Sequence, residues 1–205
     1  MEFVYVVKRY DLFDLHFPHG FVTGAPAEGG WSRDELLRRI RERGFFIERR
    51  KAEEDSSFKQ IIPYCVVRHG DGVLLLKRLG AQGEKRLHHK LSIGVGGHIN
   101  PIDGTGDLLD LGCERELSEE VSIHCRYAKR VAGFINDDAT PVGSVHFGVV
   151  YRVDLESPAV EVREKEMMEG RLASSGDLIR MAAEGANFET WSALVLERLD
   201  AVLRG

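Results

Sequence analysis

The chain has 205 residues, 43% of them hydrophobic and 30% charged, with a formal net charge of −5 at pH 7. That is enough for one domain with a substantial core, and it excludes a global basic field that would hold nucleic acid in bulk, so any polyanion has to be met by a local site. Apolar runs such as IIPYCVV and VLLL fall far short of the roughly 20 residues of a bilayer span, and the start MEFVYVVKRYD lacks the layout of a signal peptide; the expectation is a soluble, cytoplasmic protein with no membrane partner.

In chain order, EFVYVV reads as a strand and SRDELLRRIRERG as a helix. Ser32 and Glu35 form a capping box there, Leu36, Leu37 and Ile40 supply an apolar stripe, and Gly44 ends it. FFIERR suits a strand and KAEEDSS a polar connection, which sets a soft boundary between an N-terminal extension, residues 1–55, and a main domain, residues 56–205. KQIIPYCVVRH and VLLLKR, joined by GDG, predict a β-hairpin. LSIGVGGHI predicts a strand ending in glycines, and residues 107–121 a helix with Asp107 at the N-cap and Leu108, Leu111 and Leu117 among its apolar positions. Strands follow at RYAKRVAGFI and SVHFGVVYRVDL, then the charged segment EVREKEMMEGRL, then helices over 175–184 and 188–203. The class is α+β. Cys65, Cys113 and Cys125, an odd number without CxxC spacing, suit reduced and mostly buried thiols.

Within GCERELSEEVSI, Glu116, Glu119 and Glu120 stand at i, i+3 and i+4, which on a helix brings them to one face. Like charges at that spacing cost a few tenths of a kcal/mol per pair. A solvated surface is one setting for such a cluster; a divalent cation is another, because carboxylate oxygens are hard ligands and a partly open cluster leaves positions for water and phosphate oxygens. Just upstream, Gly96 and Gly97 permit close backbone approach, either as a tight turn or to turn a carbonyl toward a metal.

GGHI followed by D-x7-RELSEEVSI resembles the Nudix box, G-x5-E-x7-R-E-U-x-E-E-x-G-U with U apolar. Arg115, Glu116, Leu117, Glu119, Glu120 and Ile123 match its C-terminal half. Three departures stand out: Asp107 replaces the first Glu, Ser122 replaces a Gly, and Gly97 lies four residues too far upstream, which implies a longer loop through NPIDGTG. The likeness extends over residues 58–203.

The resemblance implies an α/β/α sandwich with a mixed sheet, the first fifty residues lying outside it as a small α/β extension. It implies Mg²⁺ or Mn²⁺ held by Glu116, Glu119 and Glu120, with the Gly97 carbonyl as a further ligand, and Arg115 steadying the site through an acidic neighbour, Asp107 being the candidate. The implied activity is hydrolysis of a pyrophosphate linkage in a nucleoside diphosphate joined to another moiety, or a related nucleotide, by water attack on phosphorus. The base is left open among Glu119, Glu120 and the later Glu164, Glu166 and Glu169. Lys77 and Arg78 are candidates to meet substrate phosphates, and His88, His89 and Lys90 could line the pocket mouth. Dimerisation is common in the family, so a homodimer belongs among the expected partners. Two other readings stay open: a catalytically inactive nucleotide-binding or regulatory module on the same scaffold, and isopentenyl-diphosphate isomerase. The isomerase needs a cysteine beside the glycine-histidine pair, where this chain has Gly96.

Overall fold

The structure is a computed structural model and describes residues 1–13, 17–25, 28, 31–79 and 90–204, the Asp103 side chain excepted; His88 and His89 lie outside these. The chain begins with β1 (Phe3–Lys8), α1 (Arg9–Leu12), β2 (Gly20–Val22), α2 (Arg33–Arg43), β3 (Phe45–Glu48) and α3 (Arg49–Glu54). The hairpin strands β4 (Phe58–His69) and β5 (Gly72–Arg78) follow, then β6 (Leu91–Ser92), β7 (Val95–Gly96), a 3-10 turn at Pro101–Asp103, and α4 (Leu108–Glu120). The remainder is β8 (Val121–Ile123), β9 (Tyr127–Asn136), α5 (Pro141–Ser144), β10 (His146–Leu155), β11 (Val160–Val162), β12 (Met168–Ser174), α6 (Ser175–Ala183), α7 (Thr190–Leu196) and α8 (Leu199–Arg204).

One mixed sheet organises these elements, in the order β12-β5-β4-β10-β9-β2. Strands β4 and β10 run parallel, from Gln60 opposite His146 to Arg68 opposite Asp154, and the other pairings are antiparallel. Gly70, at φ +58°, supplies the left-handed residue of the β4–β5 turn. Alternation along β4 divides the core between two faces. Cys65 and Val67 point toward α4, packing with Leu109, Cys113 and Leu117; Tyr64 and Val66 point the other way, onto Leu178, Val195, Leu199 and Val202 of the C-terminal helices. Each such side chain contributes about 1.5–3 kcal/mol by leaving water. The result is an α/β/α sandwich with a mixed sheet.

The first fifty residues pair directly into this sheet. Strand β1 lies between β3 and the start of β4, with Val6 opposite Gln60, and β2 pairs with β9. Ser32 caps α2 by accepting from the Glu35 N–H at 3.1 Å, as its spacing predicts. The polar connection expected at KAEEDSS is instead mostly helix α3. Ion pairs of i,i+4 spacing, Arg49–Glu53 at 2.7 Å and Arg50–Glu54 at 3.9 Å, line its exposed side, while Ala52 is buried against Val4 and Val6. The strand expected over LSIGVGGHI is two short ladders, β6 on β5 and β7 on β4, and the last helix is broken into α7 and α8. Cys65 and Cys113 are free, buried thiols with sulfurs 3.0 Å apart.

Candidate active site

Helix α4 begins with Asp107, whose Oδ1 accepts the Leu109 N–H at 3.1 Å. Its buried stripe is Leu109, Cys113 and Leu117, four residues apart, rather than Leu108 and Leu111. Glu116 follows Cys113 by three positions and is therefore carried onto the flank of that stripe, where it is 7% exposed. Its carboxylate rests against Gly97 in the loop after β7: a Cβ on Gly97 would fall 2.4 Å from both Glu116 oxygens. Glycine alone permits this approach.

Arg115 binds the cluster together, though not through the partner its spacing suggests. Its Nη1 lies 2.7 Å from Glu116 and 2.9 Å from Glu119, and its Nη2 donates to the His98 carbonyl. Asp107 pairs instead with Arg41 of α2 at 2.7 Å, because the N-cap position turns its free oxygen outward toward that helix. One guanidinium nitrogen thus stands between two carboxylates, as a cation would. Among the described residues no three carboxylate, histidine or cysteine side chains are drawn together closely enough to hold an ion.

Among the described residues, Arg115 is the cation paired with Glu116 and Glu119. Burial lifts the Glu116 carboxyl to about 7 against the opposing pull of Arg115, with Glu119 and Glu120 adding to the rise. Glu120 is also raised, first by burial, then by Glu189, Glu164 and Glu119, with Arg78 opposing. Both Glu119 and Glu120 occupy the last turn of α4, which holds no basic residue, at the end where the helix dipole disfavours anions by about 0.3–1 kcal/mol each. This donor set suits a hard divalent ion.

The other expected residues divide. Glu164 joins the field around Glu120, since the Arg163 N–H bonds the Glu120 carbonyl at 2.9 Å and fixes that segment to the helix end. Glu166 is exposed in the turn that follows, and Glu169 sits on β12 opposite Lys77. Lys77 and Arg78 point to opposite faces of β5. Arg78 pairs with Glu189 at 3.3 Å on the side of Glu120, whereas Lys77 lines a cavity of about 670 Å³ with Leu75, Leu91, Glu169, Arg171 and Met181. Glu189 is the residue that sequence reasoning missed. It reads as an ordinary acid before a helix, and only the backbone bonds of residues 187–189 to Leu91 bring it to the site.

No protein-family model matches the sequence. Protein YmaB of Bacillus subtilis is 39% identical over 209 residues, covering 97% of this chain and 98% of that one. The crystal structure of Tm1382, a candidate Nudix hydrolase, is 32% identical and superposes with a TM-score of 0.77 over 97% of this chain and 98% of its own. The Nudix domain of Shewanella oneidensis NrtR, in complex with ADP ribose, shares the fold at 13% identity and a TM-score of 0.53, over 71% of this chain and 88% of that one. No helix among the described residues is long and apolar enough to cross a membrane. With the loop-helix arrangement of the box in place and a relative of nearly the same length superposing throughout, the chain belongs to the Nudix superfamily.

Proposed function

We propose that this chain is a Mg²⁺- or Mn²⁺-dependent pyrophosphohydrolase acting on a nucleoside diphosphate joined to another moiety, or a related nucleotide. The observation that supports this best is the seat of the Glu116 carboxylate against Gly97, on a helix whose last turn carries Glu119 and Glu120 and no basic residue. Glu116, Glu119, Glu120 and the Gly97 carbonyl are the groups that would hold the metal. When bound, it supplies charge neutralisation at the phosphoryl oxygens and an acidified water. In the reaction a water oxygen forms a bond to phosphorus and the bridging phosphorus–oxygen bond breaks, its electron pair leaving with the departing phosphate.

The protein's own part is positioning and proton transfer. Arg115, anchored on the His98 carbonyl, keeps Glu116 and Glu119 oriented, and Arg78, steadied by Glu189, offers a cation to a phosphate oxygen. Glu120 is the strongest candidate to accept the water's proton, because burial and three neighbouring acids raise its basicity. Glu119 and Glu164 are the alternatives within the same field, and Glu166 stands further out.

Formation of the two phosphomonoester products, by chromatography or as phosphate freed from them by added alkaline phosphatase, should be measured in Mg²⁺ and in Mn²⁺ on ADP-ribose and other ADP-sugars, dinucleoside polyphosphates and NAD-type compounds, and pyrophosphate formation on damaged nucleoside triphosphates. Glu119→Gln and Glu120→Gln should each lower turnover by about 100-fold or more while circular dichroism and thermal midpoint stay those of the parent. Parental rates in both variants would sink the assignment. Tight nucleotide binding with no turnover in either metal would support the inactive module instead.

A further inference from the structure

The box loop is longer here than the family pattern, and the groups that meet it come from β1 and α2. In β1 the Tyr5 N–H donates to the Ile99 carbonyl at 2.9 Å, and the Asn100 side-chain amide donates to the Phe3 carbonyl at 2.9 Å. At the other end of the loop, Arg41 donates to Asp107 Oδ2 through Nε at 3.0 Å and Nη2 at 2.7 Å, while Asp107 Oδ1 caps α4. Tyr5 joins these two attachments: its hydroxyl donates to the Ile40 carbonyl at 2.8 Å, next to Arg41, and its ring packs 5.3 Å from Phe46.

These contacts fall two residues after Gly97 and at the first residue of the box helix, so they bracket the segment whose course sets Gly97 against Glu116. Asp107 is available for this because Arg115 has turned to Glu116 and Glu119. A loop of this length, with Gly104 at φ +104° and Gly106 at φ +144°, carries large conformational freedom in the unfolded chain, and ordering it costs entropy unless both ends are held.

We propose that β1 and α2 act as a built-in brace for the loop that carries the candidate metal ligand Gly97, and that Arg41 is a positioning residue for the reaction, acting through Asp107. Its consequences for turnover and for Mn²⁺ binding rest on the metal-dependent hydrolase reading; the brace itself, read by hydrogen exchange, does not.

The test uses the full chain with Arg41→Gln and Arg41→Lys, hydrogen exchange, and Mn²⁺ binding followed by water proton relaxation. In Arg41→Gln the amides of Tyr5, Leu109 and Leu111 should exchange about three- to tenfold faster with β4 and β10 protection unchanged, and the Mn²⁺ half-saturation should rise by a similar factor. Where a substrate is turned over, kcat should fall while KM stays within about twofold, and Arg41→Lys should lie between parent and Arg41→Gln. Parental exchange and Mn²⁺ half-saturation in Arg41→Gln would overturn the brace, as would a uniform loss of protection across β4 and β10. If the parent hydrolyses no diphosphate, the hydrolase reading fails while exchange still decides the brace.

Discussion

Lys59 and Glu116 are both charged side chains taken out of water, yet their surroundings are opposite in balance. Lys59, fully buried on β4, directs its ammonium to Asp138 at 2.8 Å, the Gly143 carbonyl at 3.1 Å and the His146 carbonyl at 3.2 Å, one acceptor for each of its three protons. Burial alone would raise the Asp138 carboxyl, but hydrogen bonds from Arg9, Lys59 and Asn136 outweigh it and hold the group well below the usual carboxylate range. Among the described residues Glu116 has one cation, and it shares that cation with Glu119. A saturated buried charge ties strands together; an undersaturated one leaves a demand that a ligand can meet.

That contrast can be broken at several points. Removing the ammonium in Lys59→Met should cost about 3 kcal/mol in denaturant unfolding, because Asp138 loses a partner inside the fold, with turnover per folded molecule unchanged. A change in turnover at constant stability would show the two clusters to be coupled. Gly97→Ala places a methyl where the Glu116 oxygens now lie, so Mn²⁺ binding should weaken and turnover fall by about 100-fold. Parental activity would mean that Glu116 does not need its present seat.

The smallest effect is on stability against pH. Because burial raises Glu116 from the usual 4.5 to about 7, ionising it in the metal-free chain opposes folding: nothing is lost below 4.5, and the penalty builds between about 4.5 and 7 and is level above that. Glu116→Gln removes that titration. It should match the parent in thermal midpoint at about pH 4 and exceed it by a few degrees at about pH 8.5, and on the proposed metal-dependent function added Mn²⁺ should reverse the order. Equal midpoints at both pH values would place Glu116 in water-like surroundings.

Much of the site was legible because it is local. Glu116, Glu119 and Glu120 lie on one helix, and their shared face follows from the helical repeat whatever surrounds it. Asp107 and Ser32 as N-caps were equally readable from neighbours a few residues away, although the Glu35 carboxylate of the expected capping box turns to Arg38 and Arg39. Partners distant in the chain were not. Arg115 was expected to reach Asp107 but turns to Glu116 and Glu119, and Lys77 and Arg78, adjacent in sequence, are sent to opposite faces by strand alternation. Asp138, 79 positions further along the chain, is the partner of Lys59.

By itself, then, the sequence determined the box helix, its surplus of carboxylates and the mixed α+β class, since each follows from periodicity or short spacing. Tertiary structure alone decided which surplus charge is met. It set Gly97 against Glu116, brought Glu189 to Arg78 and joined Arg41 to Asp107, pairings across 19, 111 and 66 positions. Such long-range contacts depend on how the sheet closes, and no local preference of the backbone encodes that.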